Sequence, residues 1–234
     1  MAIAPFLAMT AAEIRANPHI TGPIGWMACH FSPYGTGLSN LPEQLPEGSL
    51  LILNDRTPWW CHDPEKILDQ LEERLRSLSC WGLLLDFQRP GVDQVADLVR
   101  LLATKLDYPV GITETYAPDL KCPVFLPPVP LQLSVQEHLA PWQGREIWLE
   151  AAGDGACVMV TPEGSHTTPL LPREFPQAGF QEDALHLHYI TRVAEDRAEF
   201  TLWRTGEDIA AILEEAEHYG VTAAVGLWQE LSGL

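Results

Sequence analysis

The chain has 234 residues, 46% of them hydrophobic, with 32 acidic residues against 14 basic ones and a formal net charge of -18. That apolar share supports a sizeable core, while a surface so negative repels phosphate backbones and anionic headgroups, which argues against nucleic acid and membrane as partners. No apolar run reaches the roughly 20 residues needed to span a bilayer, no basic residue precedes the short apolar stretch at the N-terminus, and the five cysteines are scattered without a CxxC pair, so a soluble cytoplasmic protein with buried thiols is expected.

Short apolar runs alternate with helical patterns along the chain, the signature of βα units. Residues 24–30 and 50–54 read as strands. A helix over 63–79 follows, with Ile67, Leu68, Leu71, Leu75 and Leu78 at helical spacing and Asp63-Pro64 as N-cap and first turn. Residues 82–87 are apolar on both faces, as a parallel strand covered by helices should be. A helix over 92–106 and a strand over 110–113 come next. Residues 122–133 are apolar but carry four prolines, so only pieces of the stretch can be regular. Strands are expected over 146–151, 185–190 and 199–203, then a helix over 206–219 closed by Gly220, and a last strand over 221–228.

This alternation, with no linker and no internal repeat, predicts one domain over residues 1–234. The expected fold is a (β/α)8 TIM-like barrel, near the usual size of about 250 residues, carrying a hairpin-containing insertion over about 153–204. An open doubly wound sheet is the alternative. The first strands are the uncertain part of the count: 3–9 is a candidate short strand, and the other option is a barrel reduced in its N-terminal half.

In such barrels the active face lies at the C-terminal ends of the strands. The polar residues expected there are His30, Asp55, Asp86 with Gln88, Glu114 with Tyr116, Glu150, and Trp228 with Glu230. Paired carboxylates can share acid and nucleophile roles at a glycosidic bond, and aromatic rings offer flat apolar faces to sugars. Taken singly, each residue also fits a polar cap where the sheet meets water. Trp59, in the run Trp59-Trp60-Cys61-His62, is either a sugar platform or a plug under a loop. His186 and His188 share a face if they lie in a strand, but nothing nearby completes a metal set. No phosphate loop, GxSxG or GxGxxG is present, so no metal and no cofactor is expected.

The stretch Gly82-Leu83-Leu84-Leu85-Asp86-Phe87-Gln88-Arg89-Pro90-Gly91 resembles the fourth-strand signature of glycoside hydrolase family 18, DGxDxDxE, often continued as DWEYPG. Gly82 matches the motif glycine, Asp86 the last aspartate, Phe87 the aromatic slot, and Pro90-Gly91 the tail. Leu84 falls on the middle aspartate and Gln88 on the catalytic glutamate. Alternate strand residues share a face, so Leu84, Asp86 and Gln88 should all point into the barrel. Towards the C-terminus, Phe200-Thr201-Leu202-Trp203, the helix opening at Thr205, and Val225-Gly226-Leu227-Trp228 resemble the segment leading to the family's eighth strand. The resemblance makes Trp228 the floor of a sugar site and places 153–204 where many members carry a small insertion.

The departures shape the functional expectation. Glutamine has no proton to give, and loss of a general acid commonly costs about 10²–10⁴ in rate. Leu84 removes the aspartate that would tune Asp86, and CPVFLPPVP stands where the family's sixth-strand MxYD is expected. The reading is therefore a carbohydrate-binding, glycoside hydrolase-like protein with a degenerate motif, weakly active or inactive, whose ligand is an amino-sugar oligomer or glycan. In the catalytic set stand Asp86, Gln88, Glu114 and Glu150, with Trp228, Tyr116, Asp55, His30 and Trp59 binding the sugar. One alternative is an active hydrolase using Asp86, Glu114 or Glu150. A non-catalytic scaffold is the other.

Overall fold

Parallel strands buried on both faces must be apolar throughout, and eight such runs close into a barrel in the computed structural model, which describes residues 3–32, 37–56, 63–89, 93–116 and 120–231. In chain order the barrel strands are Ala4–Met9, Ile24–Phe31, Leu50–Asn54, Gly82–Asp86, Val110–Thr113, Val124–Leu126, Ile147–Glu150 and Val221–Leu227. Each pairs in parallel with its neighbour, and the first strand pairs with both the eighth and the second, so the sheet has no open edge there. The fold is a (β/α)8 barrel, not an open sheet. Gly82–Asp86 is the fourth strand, because residues 4–9 do form the first.

Reduction falls on the helices. Between the first two strands lies only Ala11–Ala16, held by a capping box in which the Glu13 N–H donates to Thr10 Oγ1 at 3.3 Å and the Thr10 N–H to Glu13 Oε2 at 2.7 Å. Among the described residues, the second connection carries a two-residue strand, Leu38–Ser39, and no helix. Full helices, Pro64–Ser77 and Asp93–Lys105, flank the fourth strand, the former capped by Asp63, which accepts from the Lys66 N–H at 3.1 Å. Their apolar faces bury Leu71, Leu75, Leu98 and Leu102 against the outward side of the sheet, with Leu83, Leu85 and Phe87. The other helices are Val135–Leu139, Gly206–Glu217 and Trp228–Leu231. Gly220 takes φ +92°, two residues past the C-cap of Gly206–Glu217 and not directly after it.

Inside the barrel a separate cluster is formed by Phe6, Leu50, Ile52, Leu84, Phe125, Trp148 and Val225. Trp148 is fully buried and its ring lies 5.0 Å from Trp81, which in turn lies 5.1 Å from Phe6. Gly111 makes this possible, since a Cβ there would collide with the Trp148 ring. Between the seventh and eighth strands rises a second, antiparallel sheet of five strands, Gly155–Thr161, Gly164–Leu170, Phe180–Glu182, Leu187–Val193 and Ala198–Trp203. Arg204 ties its base to the barrel. This guanidinium is 1% exposed and donates to the carbonyls of Val129, Pro130, Leu185 and His186. No helix among the described residues is long and apolar enough to cross a membrane.

Candidate functional site

A cavity of about 160 Å³ opens at the C-terminal end of the barrel. Its apolar lining comes from Ala8, Met27, Ile52, Leu84, Phe125, Val225 and Leu227, and its polar lining from Arg56, Asp86, Gln88 and Glu150. Strand alternation accounts for the layering. Leu84 and Asp86 are two residues apart on one face, paired across the sheet with Ile52 and Asn54, while Glu150 is the inward residue two beyond Trp148 and pairs with Val225. Leu84, which the resemblance aligns with the middle aspartate of the motif, is thus part of an apolar wall, and polar groups begin only at the rim.

Gln88 turns its amide on its neighbour, Nε2 donating to Asp86 Oδ1 at 2.6 Å. Burial pushes the Asp86 carboxyl up, the Gln88 hydrogen bond opposes this, Asp55 raises it further and Arg56 lowers it. Glu150 is pushed up to about 7, chiefly by burial and then by the negative charge of Asp86, Asp154 and Glu230. Asp154 and Glu230 are raised as well, each first by burial. Carboxylates that share a partly desolvated mouth disfavour one another's ionisation, and at Glu150 burial and the three neighbouring charges all act in that one direction, whereas at Asp86 the Gln88 hydrogen bond and Arg56 oppose it. Glu150 is therefore the group placed to titrate near neutrality.

The residues expected from sequence separate into two sets. Asp86, Gln88 and Glu150 come together in the cavity. The others do not line it. Asp55 is buried and its carboxylate accepts from the Arg89 N–H at 2.8 Å; Tyr116 donates its hydroxyl to the Arg89 carbonyl. Both hold the loop after the fourth strand, aided by Arg89 Nη2 on the Arg56 carbonyl at 2.9 Å. Glu114 is exposed on the short 3-10 helix Glu114–Tyr116. His30, on the second strand, lies 3.4 Å from the Asn40 side chain through Nε2, and its buried Nδ1 has no partner in the structure. Trp228 does not extend the last strand; it opens the C-terminal helix, half-buried, and the floor it was expected to make is built by Met27, Ile52, Leu84 and Phe125. Trp59 lies outside the described residues. His186 has φ +46° and precedes its strand, so the two histidines diverge, His186 to Glu215 at 2.8 Å and His188 to Asp208 at 3.3 Å.

Sequence reasoning missed Arg56, Phe125 and Asp154. Arg56 and Asp154 lie just past strand ends, where the signal was present; Phe125 was hidden by the surrounding prolines.

No protein-family model and no curated protein matches the sequence. Solved structures do match the fold. A class V chitinase from Nicotiana tobaccum, a glutamate-to-glutamine mutant in complex with NAG4, is similar with a TM-score of 0.63 at 8% identity, over 97% of this chain and 93% of that one. A chitinase-like agglutinin from Robinia pseudoacacia is similar with a TM-score of 0.59 at 14% identity, over 96% and 94%. The spore cortex-lytic enzyme SleL of Bacillus cereus is similar with a TM-score of 0.59 at 9% identity, over 96% and 70%. At these identities the likeness shows the fold, a (β/α)8 barrel like those of chitinases and chitinase-like proteins.

Proposed function

We propose that the chain is a carbohydrate-binding, glycoside hydrolase-like protein with a degenerate catalytic motif, weakly active or inactive as a hydrolase, and that its ligand is an amino-sugar oligomer. The observation that carries this reading is the cavity itself, an apolar floor beneath a rim of Asp86, Gln88 and Glu150 at the C-terminal strand ends. Such a surface suits a sugar ring, which offers an apolar face and a hydroxylated edge. Gln88 can donate and accept hydrogen bonds but has no acidic proton, and Leu84 supplies no charge to tune Asp86. The Nicotiana protein supports the reading, because that barrel holds NAG4 as a glutamate-to-glutamine mutant. The cysteine usage fits a cytoplasmic setting: Cys29, Cys80, Cys122 and Cys157 are free, the first three buried.

Titrating tryptophan fluorescence with N-acetylglucosamine oligomers tests it, since Trp81 and Trp148 fill the barrel below the cavity. A saturable change is expected, with turnover below the usual enzyme range of about 1–10³ s⁻¹. Gln88→Glu alone should not bring turnover into that range, because Leu84 remains. Silence towards every saccharide tried, or turnover in the ordinary range in the unaltered protein, overturns the reading.

One observation favours a second reading. Glu150, held at about 7, faces Asp86, which burial also raises but which the Gln88 hydrogen bond and Arg56 draw back towards its ionised form. Environments that drive two carboxyls apart are how acid and base roles are divided. In this reading Glu150 passes its proton to the leaving glycosidic oxygen as the C1–O bond breaks. Asp86 takes a proton from the water whose oxygen bonds to C1, and solvent restores both groups. Slow hydrolysis abolished by Glu150→Gln, but kept in Gln88→Ala, distinguishes it.

A further inference from the structure

Resting on the carbohydrate-binding reading, we infer that the mouth selects a saccharide bearing a free, protonated amine over its N-acetylated or neutral counterpart. The donor and acceptor balance of the rim points this way. Two carboxylates, Asp86 and Glu150, line the cavity among the described residues, and one of the two Gln88 amide hydrogens is already given to Asp86 at 2.6 Å, which leaves a single amide N–H beside its carbonyl oxygen. Among the described residues, Arg56 is the one cationic side chain in that lining. An N-acetyl carbonyl entering this rim finds few donors, whereas an ammonium carries three donors and no acceptor and meets charged acceptors, the stronger class of hydrogen bond.

The charge around the rim adds to the same preference. Glu150 is faced by Asp86 from the fourth strand, Asp154 from the loop after the seventh, Glu230 from the C-terminal helix, and Arg56 from beyond the third strand. Arg204 neutralises part of Asp154, but it is buried with its hydrogen bonds spent on four backbone carbonyls and cannot turn to the mouth. The unliganded rim relieves its repulsion by keeping a proton on Glu150. An ammonium relieves it instead, since an opposite charge nearby favours the ionised carboxylate, so the bound cation displaces that proton to solvent.

Isothermal titration at pH 7 with a glucosamine tetramer and an N-acetylglucosamine tetramer, each in two buffers of different ionisation heat, reads both affinity and proton release. The free-amine tetramer should bind about tenfold or more tighter, as a charge-assisted contact implies, and release a fraction of a proton up to one. Glu150→Gln should abolish the proton release and most of the preference. Glu163→Gln, an equal charge change at the exposed tip of the insertion, should alter neither, which separates the rim from the general attraction of a chain of charge -18. Equal or tighter binding of the acetylated tetramer, absence of proton release, or a Glu163→Gln effect as large as that of Glu150→Gln overturns the inference while leaving carbohydrate binding in place. Failure of both tetramers to bind removes the carbohydrate reading and the inference together.

Discussion

The two ends of the barrel interior are built by the same eight strands and do opposite things. At the bottom Phe6, Trp81 and Trp148 pack ring against ring, with Gly111 giving up its side chain to admit Trp148. At the mouth, one inward layer higher, Leu84 gives way to Asp86 and Trp148 to Glu150. The bottom gains from being dry, because stability there scales with apolar area removed from water. The mouth loses from being dry, because desolvation penalises each carboxylate and the carboxylates penalise each other. A step of two residues along a strand separates the part of the interior that holds the molecule together from the part that keeps carboxylates partly solvated.

The largest expected effect breaks the bottom. Trp148→Ala should cost about 3–5 kcal/mol through lost transfer and the cavity left behind, read as a drop in denaturant midpoint with unchanged m. A loss under about 1 kcal/mol would mean that the rings below the mouth are not the barrel's support.

A smaller effect of opposite sign belongs to the mouth. Folded Glu150 keeps its proton to about pH 7, whereas its ordinary value is 4.5. Between those values the folded state binds the extra proton, so its contribution to stability is lost as pH rises through that window. Glu150→Gln should thus match the parent near pH 4 and exceed it at pH 8 by up to about 3 kcal/mol, measured by urea unfolding at both values. Parallel stability curves for the two proteins would show that this carboxyl is not held up by its surroundings.

The smallest effect sharpens the contrast within the mouth. Gln88→Ala, at an exposed position, should move stability by no more than about 0.5 kcal/mol. It should nonetheless raise the Asp86 titration further, because the hydrogen bond it removes lowers it, alongside Arg56. Carboxyl carbon shifts followed against pH read this, and an unmoved Asp86 titration would sever the two residues.

By itself the sequence determined the repeating βα order and the inward alternation of Leu84 and Asp86. These follow from periods of 2 and 3.6 written locally in the chain. It also marked Glu150 as a strand-end carboxylate. The closure of the barrel through the first strand, six residues long, was decided only by pairing with both the second and the eighth strands, contacts that no local pattern encodes. Tertiary structure alone sorted the polar strand-end residues, turning Asp55 and Tyr116 onto the backbone of Arg89 and leaving Glu114 exposed. It also exchanged the expected Trp228 floor for Met27, Ile52, Leu84 and Phe125. The charge state of Glu150 was likewise beyond the sequence, since it depends on Asp86, Asp154 and Glu230 meeting around one opening. Burial and charge act through space, and the residues that set them lie 64, 4 and 80 positions away along the chain.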